Sequence, residues 1–550
     1  MKNRHVNAVV VGAGAGGGIA AKELSEAGLT VVLFERGKEQ GFLDHDNDEL
    51  FSQRTTVLGN AYGPDKERHR RVVEAPDGST RVVLANEGGY NNVAAVVGGG
   101  TLSYGAMAWR FMPQDFKMKS TYGAVDGSTL EDWPISYGEL ESYYEKAEWE
   151  WGVSGDMSGN PLSPPRNKDY PNPAFEYNKE GRILHDVTQK MGLHPFPIPM
   201  LRLSQPYDGR GACIHNRTCV GFACPSGAKS GSHNVVIPKA LATGNCELRK
   251  ESFVYKILTN NQGRATGVEY FDVNQTRQTQ TADLVIVSGS ATESARLLLN
   301  SKTTLYPSGL GNRYDWVGRN LQGHAYSGCF GLYDEELYDD IGPGATVAIM
   351  DYNHGNAGIV GGGMMANEFI RMPYLFSNRR PPGSKKWGKE HKDFQRAYFK
   401  HHMSFKGPVQ EMPVFEARVR IDPEVTDGWG IPTLRISGQK HPMDLETGRF
   451  IAEKAREIII QSGAKQTWLS LPGSGVSGGQ HQAGTCRMGD DPKTSVTNKY
   501  GQLWEIDNLF VSDGSLHVTN GGFNPSLTIM ALSYWVSDYI KTEWRGTGFK

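Results

Sequence analysis

Long apolar runs are missing from this chain. No stretch of the 550 residues reaches the roughly 18 consecutive apolar residues that a membrane-crossing helix needs, so no transmembrane helix and no membrane partner are expected. Charge of one sign is also missing. Lys and Arg number 58 and Asp and Glu 60, for a net charge of −2. That leaves no basic footprint for nucleic acid. Cysteine is scarce, at six residues. Cys213, Cys219 and Cys224 lie close together, while Cys246, Cys329 and Cys486 are scattered, which is not the disulfide framework of a small secreted domain. No internal repeat, low-complexity tail or long linker is visible. Met1-Lys2-Asn3-Arg4-His5 runs at once into a strand-like segment, without the apolar stretch and cleavage site of a secretory signal, and a cytoplasmic location is the expectation.

What is present fits a large globular protein. Hydrophobic residues make up 38% and charged residues 21%, within the usual globular range. The length suggests about three to four domains' worth of chain. Glycine is abundant, at 67 residues, which suits either ordinary turns or tight backbone approaches to a ligand.

Residues 6–12 form a short β-branched run, as in a buried parallel strand. Gly12, Gly14 and Gly17 then complete G-x-G-x-x-G. A helical segment follows from Ile19 and ends near Gly28. A second strand, Thr30 to Phe34, ends at Glu35. Gly12 permits the tight turn, Gly14 the approach of a pyrophosphate, and Gly17 close helix–strand packing. The helix start offers unpaired N–H groups to phosphates. Glu35 stands at the distance expected of a ribose ligand. Strand, turn, helix, strand and acid in register identify a dinucleotide site without separating FAD from NAD.

A second buried strand, Asp283 to Val287, leads through Ser288-Gly289-Ser290 into a helix. Strands are also read at Glu247–Arg249 and Phe253–Ile257, with a hairpin over Gly263–Tyr270. No second complete G-x-G-x-x-G occurs, so this segment is read as the same dinucleotide fold resuming after an insertion. Near the C-terminus stand His481-Gln-Ala-Gly-Thr-Cys-Arg-Met-Gly489, the strand end Ser512-Asp513-Gly514, and Asn524-Pro525-Ser526-Leu527-Thr528. A helix is predicted from Pro525 to about Ile540, where a proline in the first turn loses no hydrogen bond.

This combination resembles the glucose–methanol–choline family of flavoproteins over nearly the whole chain. The resemblance implies an α/β fold. A Rossmann-like FAD domain would be assembled from 1–45, 90–115, 209–315 and 475–550, with an α+β substrate domain from 125–208 and 320–470. It implies FAD and oxidation of an alcohol by hydride transfer to flavin N5. It makes His481 the catalytic base and Asn524 its polar partner. An imidazole can take a hydroxyl proton near neutral pH, and a second side chain can aim the C–H. It places Gly12, Gly14, Gly17, Glu35, Arg36, Gly100, Tyr104, Val254, Ser288, Asp513, Gly514, Asn524, Pro525 and Ser526 on the cofactor. The last helix start would favour negative charge on a reduced flavin. His517, His215, His401 and His402 lack such support and are read as surface or structural.

The stretches 97–116, 120–123 and 132–137 are similar to the sugar-oxidising branch, most of all to bacterial C-glycoside and glycoside 3-oxidases and to pyranose oxidases. The substrate implied is a sugar or glycoside, oxidised at a secondary hydroxyl such as C3 of a glucosyl unit. Oxygen or a quinone-like acceptor would take the electrons. A non-sugar alcohol and a catalytically silent flavin-binding protein are the alternatives. Some relatives hold FAD covalently on a histidine near position 104. Tyr104 stands there, so noncovalent FAD is expected. An iron–sulfur cluster on Cys213, Cys219 and Cys224, passing electrons to a partner protein, is the alternative to plain thiols. The spacing departs from the cluster pattern, and a zinc site using His215 is weaker still, so no metal is expected. Tyr352, Tyr374, Phe376 and Trp387 are candidates for a sugar-binding face or for core packing. Arg379 to Lys386 reads as an exposed basic loop or lid.

Overall fold

The structure, a computed structural model, describes residues 4–51, 61–87, 89–90, 92–158, 160–369, 371–477 and 479–544. Residues 1–3 and 545–550, the outer ends of the segments expected for the FAD part, lie outside the described residues.

The strand Val6–Val11 sits in the middle of the largest sheet. It pairs in parallel with Val31–Phe34 on one side and with Arg277–Val287 on the other. Cys246–Arg249 and Ile506–Val511 continue the parallel array outward. The spatial order is therefore 506–511, 277–287, 6–11, 31–34, 246–249. The apolar run at 283–287 thus lies beside the first strand, within one dinucleotide-type sheet. The outer part of the strand Arg277–Val287 pairs antiparallel with Ala265–Phe271, which pairs in turn with Phe253–Thr259.

The helices Ala15–Glu26 and Ser526–Tyr539 pack against each other beside this sheet. Glycine makes the close packing feasible. A Cβ on Gly17 would lie 1.8 Å from the Gly12 carbonyl oxygen, and one on Gly16 would lie 1.9 Å from that of Ser512.

A six-stranded antiparallel sheet forms the second layer. Its order is 466–470, 325–332, 402–409, 365–367, 347–349, 196–197. The helix Pro442–Gln461 covers one face, where Ile451, Ala455 and Ile458 meet Cys329, Met403 and Phe405. Strand side chains alternate between faces. Tyr326 and Lys406 are therefore left on the opposite face, over a cleft. A four-stranded sheet of 70–74, 80–84, 418–426 and 432–437 packs against the helix Ala291–Asn300.

Candidate active site

A cleft of about 610 Å³ lies between the strand ends of the parallel sheet and the exposed face of the antiparallel one. One end is built largely from backbone. Gly12 adopts φ +107°, and a Cβ there would lie 2.3 Å from the Ser288 carbonyl oxygen. Gly14 and Gly100 line the cleft, and among the described residues nothing lies within 4 Å of an added Cβ. Their bare backbones therefore face the open space. The helix Ala15–Glu26 begins at Gly14 without a side-chain cap, so its first N–H groups are available to phosphate oxygens. Gly17 stands behind this surface, in the helix–strand contact expected of it.

Glu35 is buried at the second strand end. Its carboxylate accepts from Ala13 N (3.1 Å) and Gly37 N (2.9 Å) and so also holds the glycine turn. Burial raises its pKa. Arg36 lines the cleft 3.5 Å from Glu293. Val254 and Ser288 line it too, and Ser288 Oγ donates to Ser512 O (3.0 Å). Asp513 is fully engaged: Oδ2 accepts from Ser290 N (3.0 Å) and Ser294 Oγ (2.5 Å), and Oδ1 from Ser515 N (2.9 Å). It braces the strand ends around the cleft, and burial raises its pKa. Gly514, Asn524, Pro525 and Ser526 also line the cleft. The last helix starts at Ser526, with Pro525 as its uncapped N-terminal neighbour, one position outside the first turn.

These residues fit FAD. Two uncapped helix starts face one elongated cleft. Two buried polar atoms on its wall, Ser290 Oγ and Asn524 Oδ1, have no hydrogen-bond partner among the described residues, and buried polar groups are normally paired. Tyr104 is near, but its hydroxyl donates to Ser230 O (2.6 Å).

The other end of the cleft is built from side chains. His481 Nε2 stands 3.3 Å from Asn524 Nδ2, whose amide also donates to Tyr326 Oη (3.0 Å). The two motif residues, 43 positions apart in sequence, thus meet. His481 has φ +61°, a left-handed conformation that costs a non-glycine residue roughly 1–2 kcal/mol. Such strain collects at functional sites. Asn520 holds it in place, with Nδ2 donating to His481 O (2.7 Å) and Gly323 O (3.1 Å). His517 Nδ1–H donates to Asn520 Oδ1 (3.0 Å) and is buried, a structural residue. Behind His481 lies His324, with the two Nδ1 atoms 2.9 Å apart. Glu411 braces the same corner: it accepts from Gly323 N (3.0 Å) and from the Ser477 hydroxyl. Sequence patterns did not single out His324, Tyr326 or Asn520. The first two sit on an ordinary antiparallel strand and its approach, without a motif around them.

The reading of four aromatics as a sugar-binding face is corrected. Tyr352, Tyr374, Phe376 and Trp387 do not line the cleft. Phe376 packs on Phe394, Phe399 and His402. Tyr352 packs on Phe450, and Trp387 is 84% exposed. Tyr104, Tyr326 and Phe369 are among the aromatics that do line the cleft, and Tyr326 lies beside His481. Within the basic loop, Arg379 reaches the cleft and ion-pairs with Glu368 at 3.5 Å, as Lys406 does at 3.3 Å. Cys213, Cys219 and Cys224 are half-buried free thiols, and among the described residues no His, Cys, Asp or Glu group could hold a metal ion. The Lys229 ammonium donates to the Cys219 and Phe222 carbonyls beside them (2.8 and 2.7 Å). His215 is bonded to Gly342 O, and His402 is buried. Among the described residues no helix is long and apolar enough to cross a membrane.

Fold and cleft together define a dinucleotide-dependent oxidoreductase. Residues 10–49 match the model of an NAD(P)-binding Rossmann-like domain. Residues 77–326 and 413–533 match the N- and C-terminal models of GMC oxidoreductases. The chain is 31% identical to the 2-methyl-1,2-propanediol dehydrogenase of Mycolicibacterium austroafricanum, over 97% of this chain and 94% of the relative. It is 29% identical to the gluconate 2-dehydrogenase flavoprotein of Pantoea cypripedii, over 98% and 94%. Its fold is similar to that of a solved pyridoxine 4-oxidase from Mesorbium loti, with TM-score 0.63 and 18% identity over 97% of this chain and 98% of that one. The chain belongs to the GMC oxidoreductase family: it is a flavoprotein oxidoreductase acting on CH–OH groups.

Proposed function

We propose that the protein oxidises a secondary hydroxyl of a sugar or glycoside, such as C3 of a glucosyl unit, to a ketone. The observation that carries this reading is the His481–Asn524 pair, 3.3 Å apart on a cleft that the Gly12–Gly14 turn also lines. His481 Nε2 takes the hydroxyl proton. The Asn524 amide, with Tyr326, holds the substrate oxygen and aims the C–H bond. Noncovalent FAD, held by the Gly14 and Gly100 backbones, the Glu35–Arg36 strand end and the Pro525–Ser526 helix start, supplies the hydride acceptor.

A sugar is supported by the polarity of the wall beyond Tyr326, where Glu368, Lys406 and Arg379 offer donors and acceptors next to the ring of Phe369. The resemblance of the stretches 97–104, 109–116, 120–123 and 132–137 to glycoside 3-oxidases supports C3. The name of the gluconate-oxidising relative supports a sugar-like substrate, and that of the propanediol-oxidising relative favours a small non-sugar alcohol as the second reading. In this reading the FAD part is drawn from 1–45, 90–115, 209–315 and 475–550, and the substrate part from 125–208 and 320–470. Reoxidation is by oxygen or a quinone-like acceptor.

The test is anaerobic bleaching of the bound flavin by free sugars, O-glycosides, C-glycosides and short diols. Product NMR and oxygen uptake are followed in parallel. A 3-keto glycoside is the expected product. Bleaching by diols but by no sugar would replace the proposal with the second reading, and bleaching by neither would sink both.

A further inference from the structure

We infer that His324 is a positioning residue that fixes the tautomer of His481, so that the lone pair of the base lies on Nε2 and faces the cleft. The inference rests on the reading of His481 as the base and adds what makes it one. It follows from hydrogen-bond bookkeeping on four groups.

His324 Nε2 lies 2.8 Å from Gly521 O and 3.1 Å from Asn520 O. Carbonyl oxygens only accept, so Nε2 carries a proton. His324 is 7% exposed, and burial pushes its pKa down to about 4, so the ring is neutral at working pH. A neutral imidazole has one N–H, and its Nδ1 is therefore an acceptor. The atom facing it at 2.9 Å is His481 Nδ1, which must then donate. His481 Nε2 is left as the lone-pair nitrogen, and the Asn524 amide, a donor, points at it from 3.3 Å. Both ends of the chain demand the same tautomer.

The choice of imidazole over carboxylate has a physical consequence. A buried carboxylate behind His481 would also accept from Nδ1, but its charge would favour the imidazolium and keep the base protonated to higher pH. His324 orients without adding charge. Other titratable groups around the corner stand farther back. Glu411 spends its oxygens on Gly323 N and Ser477. His517 donates to Asn520. Asp115 faces His354 (3.1 Å).

The experiment compares His324→Asn, His324→Leu and His324→Asp in the FAD-loaded enzyme. The Asn Oδ1 can replace the missing acceptor, and the Leu side chain cannot. His324→Leu should retain FAD and lower the flavin-reduction rate at least about tenfold, with little change in KM, and His324→Asn should recover most of that loss. His324→Asp should move the acid limb of the pH–rate profile to higher pH. Independently of any substrate, 15N NMR of histidine-labelled protein should show the His481 resonances, identified by their loss in His481→Ala, as a protonated Nδ1 and an unprotonated Nε2. His324→Leu should change that pattern. Equal rates and pH profiles in the Asn and Leu variants, or a protonated Nε2 in the native enzyme, would overturn the inference. A His481→Ala enzyme that still reduces its flavin normally would instead remove the underlying assignment of the base.

Discussion

At the Gly12 turn backbone meets backbone, while at His481 side chain meets side chain. The glycine turn is held by contacts in which a single added methyl would overlap a carbonyl oxygen. The corner around His481 is held by hydrogen bonds among His324, Tyr326, His481, Asn520 and Asn524. Steric contacts at close packing fail abruptly, because the interior is dense and cannot yield. Hydrogen-bonded positioning fails by degrees, because each lost bond contributes a modest amount. The two ends of one cleft should therefore respond to substitution in different currencies: stability at one, rate at the other.

The sharpest break comes at Gly17. Gly17→Ala places a Cβ 1.8 Å from Gly12 O, and both partners are backbone. The loss should reach or exceed the roughly 3 kcal/mol at the upper end of ordinary overpacking, leaving little soluble, FAD-loaded protein. Gly14→Ala is the control, since its Cβ meets no atom of the described residues and enters the cleft. Its apo melting temperature should match the native one, while the FAD dissociation constant rises about tenfold or more. Equal melting temperatures for both variants would deny that Gly17 is a packing glycine.

Next in size is Glu293→Gln. Arg71, Arg36 and Arg296 approach Glu293 at 2.7, 3.5 and 3.6 Å. Burial opposes ionisation here, but the three guanidiniums overcome it and hold the carboxyl well below its ordinary value. Removing the charge should destabilise by about 3 kcal/mol, as breaking buried pairs does. The sign with pH follows from the depressed pKa. The carboxylate stabilises the fold above its unfolded value, about 4.3, and that contribution is lost as pH falls below it. The native-minus-variant difference in melting temperature should therefore shrink only in the acid range.

His481→Ala should leave folding and FAD retention intact and slow flavin reduction by about a hundredfold, the scale of a lost general base. Asn520→Ala should act through the same atoms more weakly. It removes the bonds that pin the strained His481 backbone, so kcat should fall about tenfold with a smaller change in KM, measured by stopped-flow reduction. A rate effect at Asn520 as large as that at His481 would mean that Asn520 does more than position.

How much of this was legible in the sequence follows the same division. The glycine turn, the helix behind it and the returning strand at 283–287 are local patterns, and all three are present, though the helix begins at Ala15 and not Ile19 and the strand extends back to Arg277. The pairing of His481 with Asn524 was legible because both sit in short motifs. His324, Tyr326 and Asn520 were not, because their significance lies in contacts across 157, 198 and 39 positions that no local periodicity records. For Tyr352, Tyr374, Phe376 and Trp387 the choice between a sugar-binding face and core packing stayed open for a related reason. Composition shows that aromatics are present, but only the strand alternation at Tyr326 and Lys406 decides which face meets the cleft.

The finest test compares Glu293 with Glu180, another buried carboxylate beside arginine. Glu180 has one close guanidinium, Arg371 at 3.2 Å. Burial wins over the attraction of this one guanidinium and, with the Asp339 charge adding to it, pushes the carboxyl up to about 7. Here the sign reverses. Between the unfolded value near 4.3 and about 7, the unfolded chain gives up this proton while the folded chain keeps it. Native stability should then decline as pH rises through that window, with a slope of at most about 1.4 kcal/mol per unit from this group. Glu180→Gln abolishes the titration, so the variant should gain on the native protein between pH 4.3 and 7 and hold a constant offset above it. The window lies above the one where Glu293 acts, so melting curves of both variants across pH separate a carboxylate facing three guanidiniums from a carboxylate facing one. A Glu180→Gln offset that does not change from pH 4.5 to 7 would mean that Arg371 alone is enough to keep Glu180 charged.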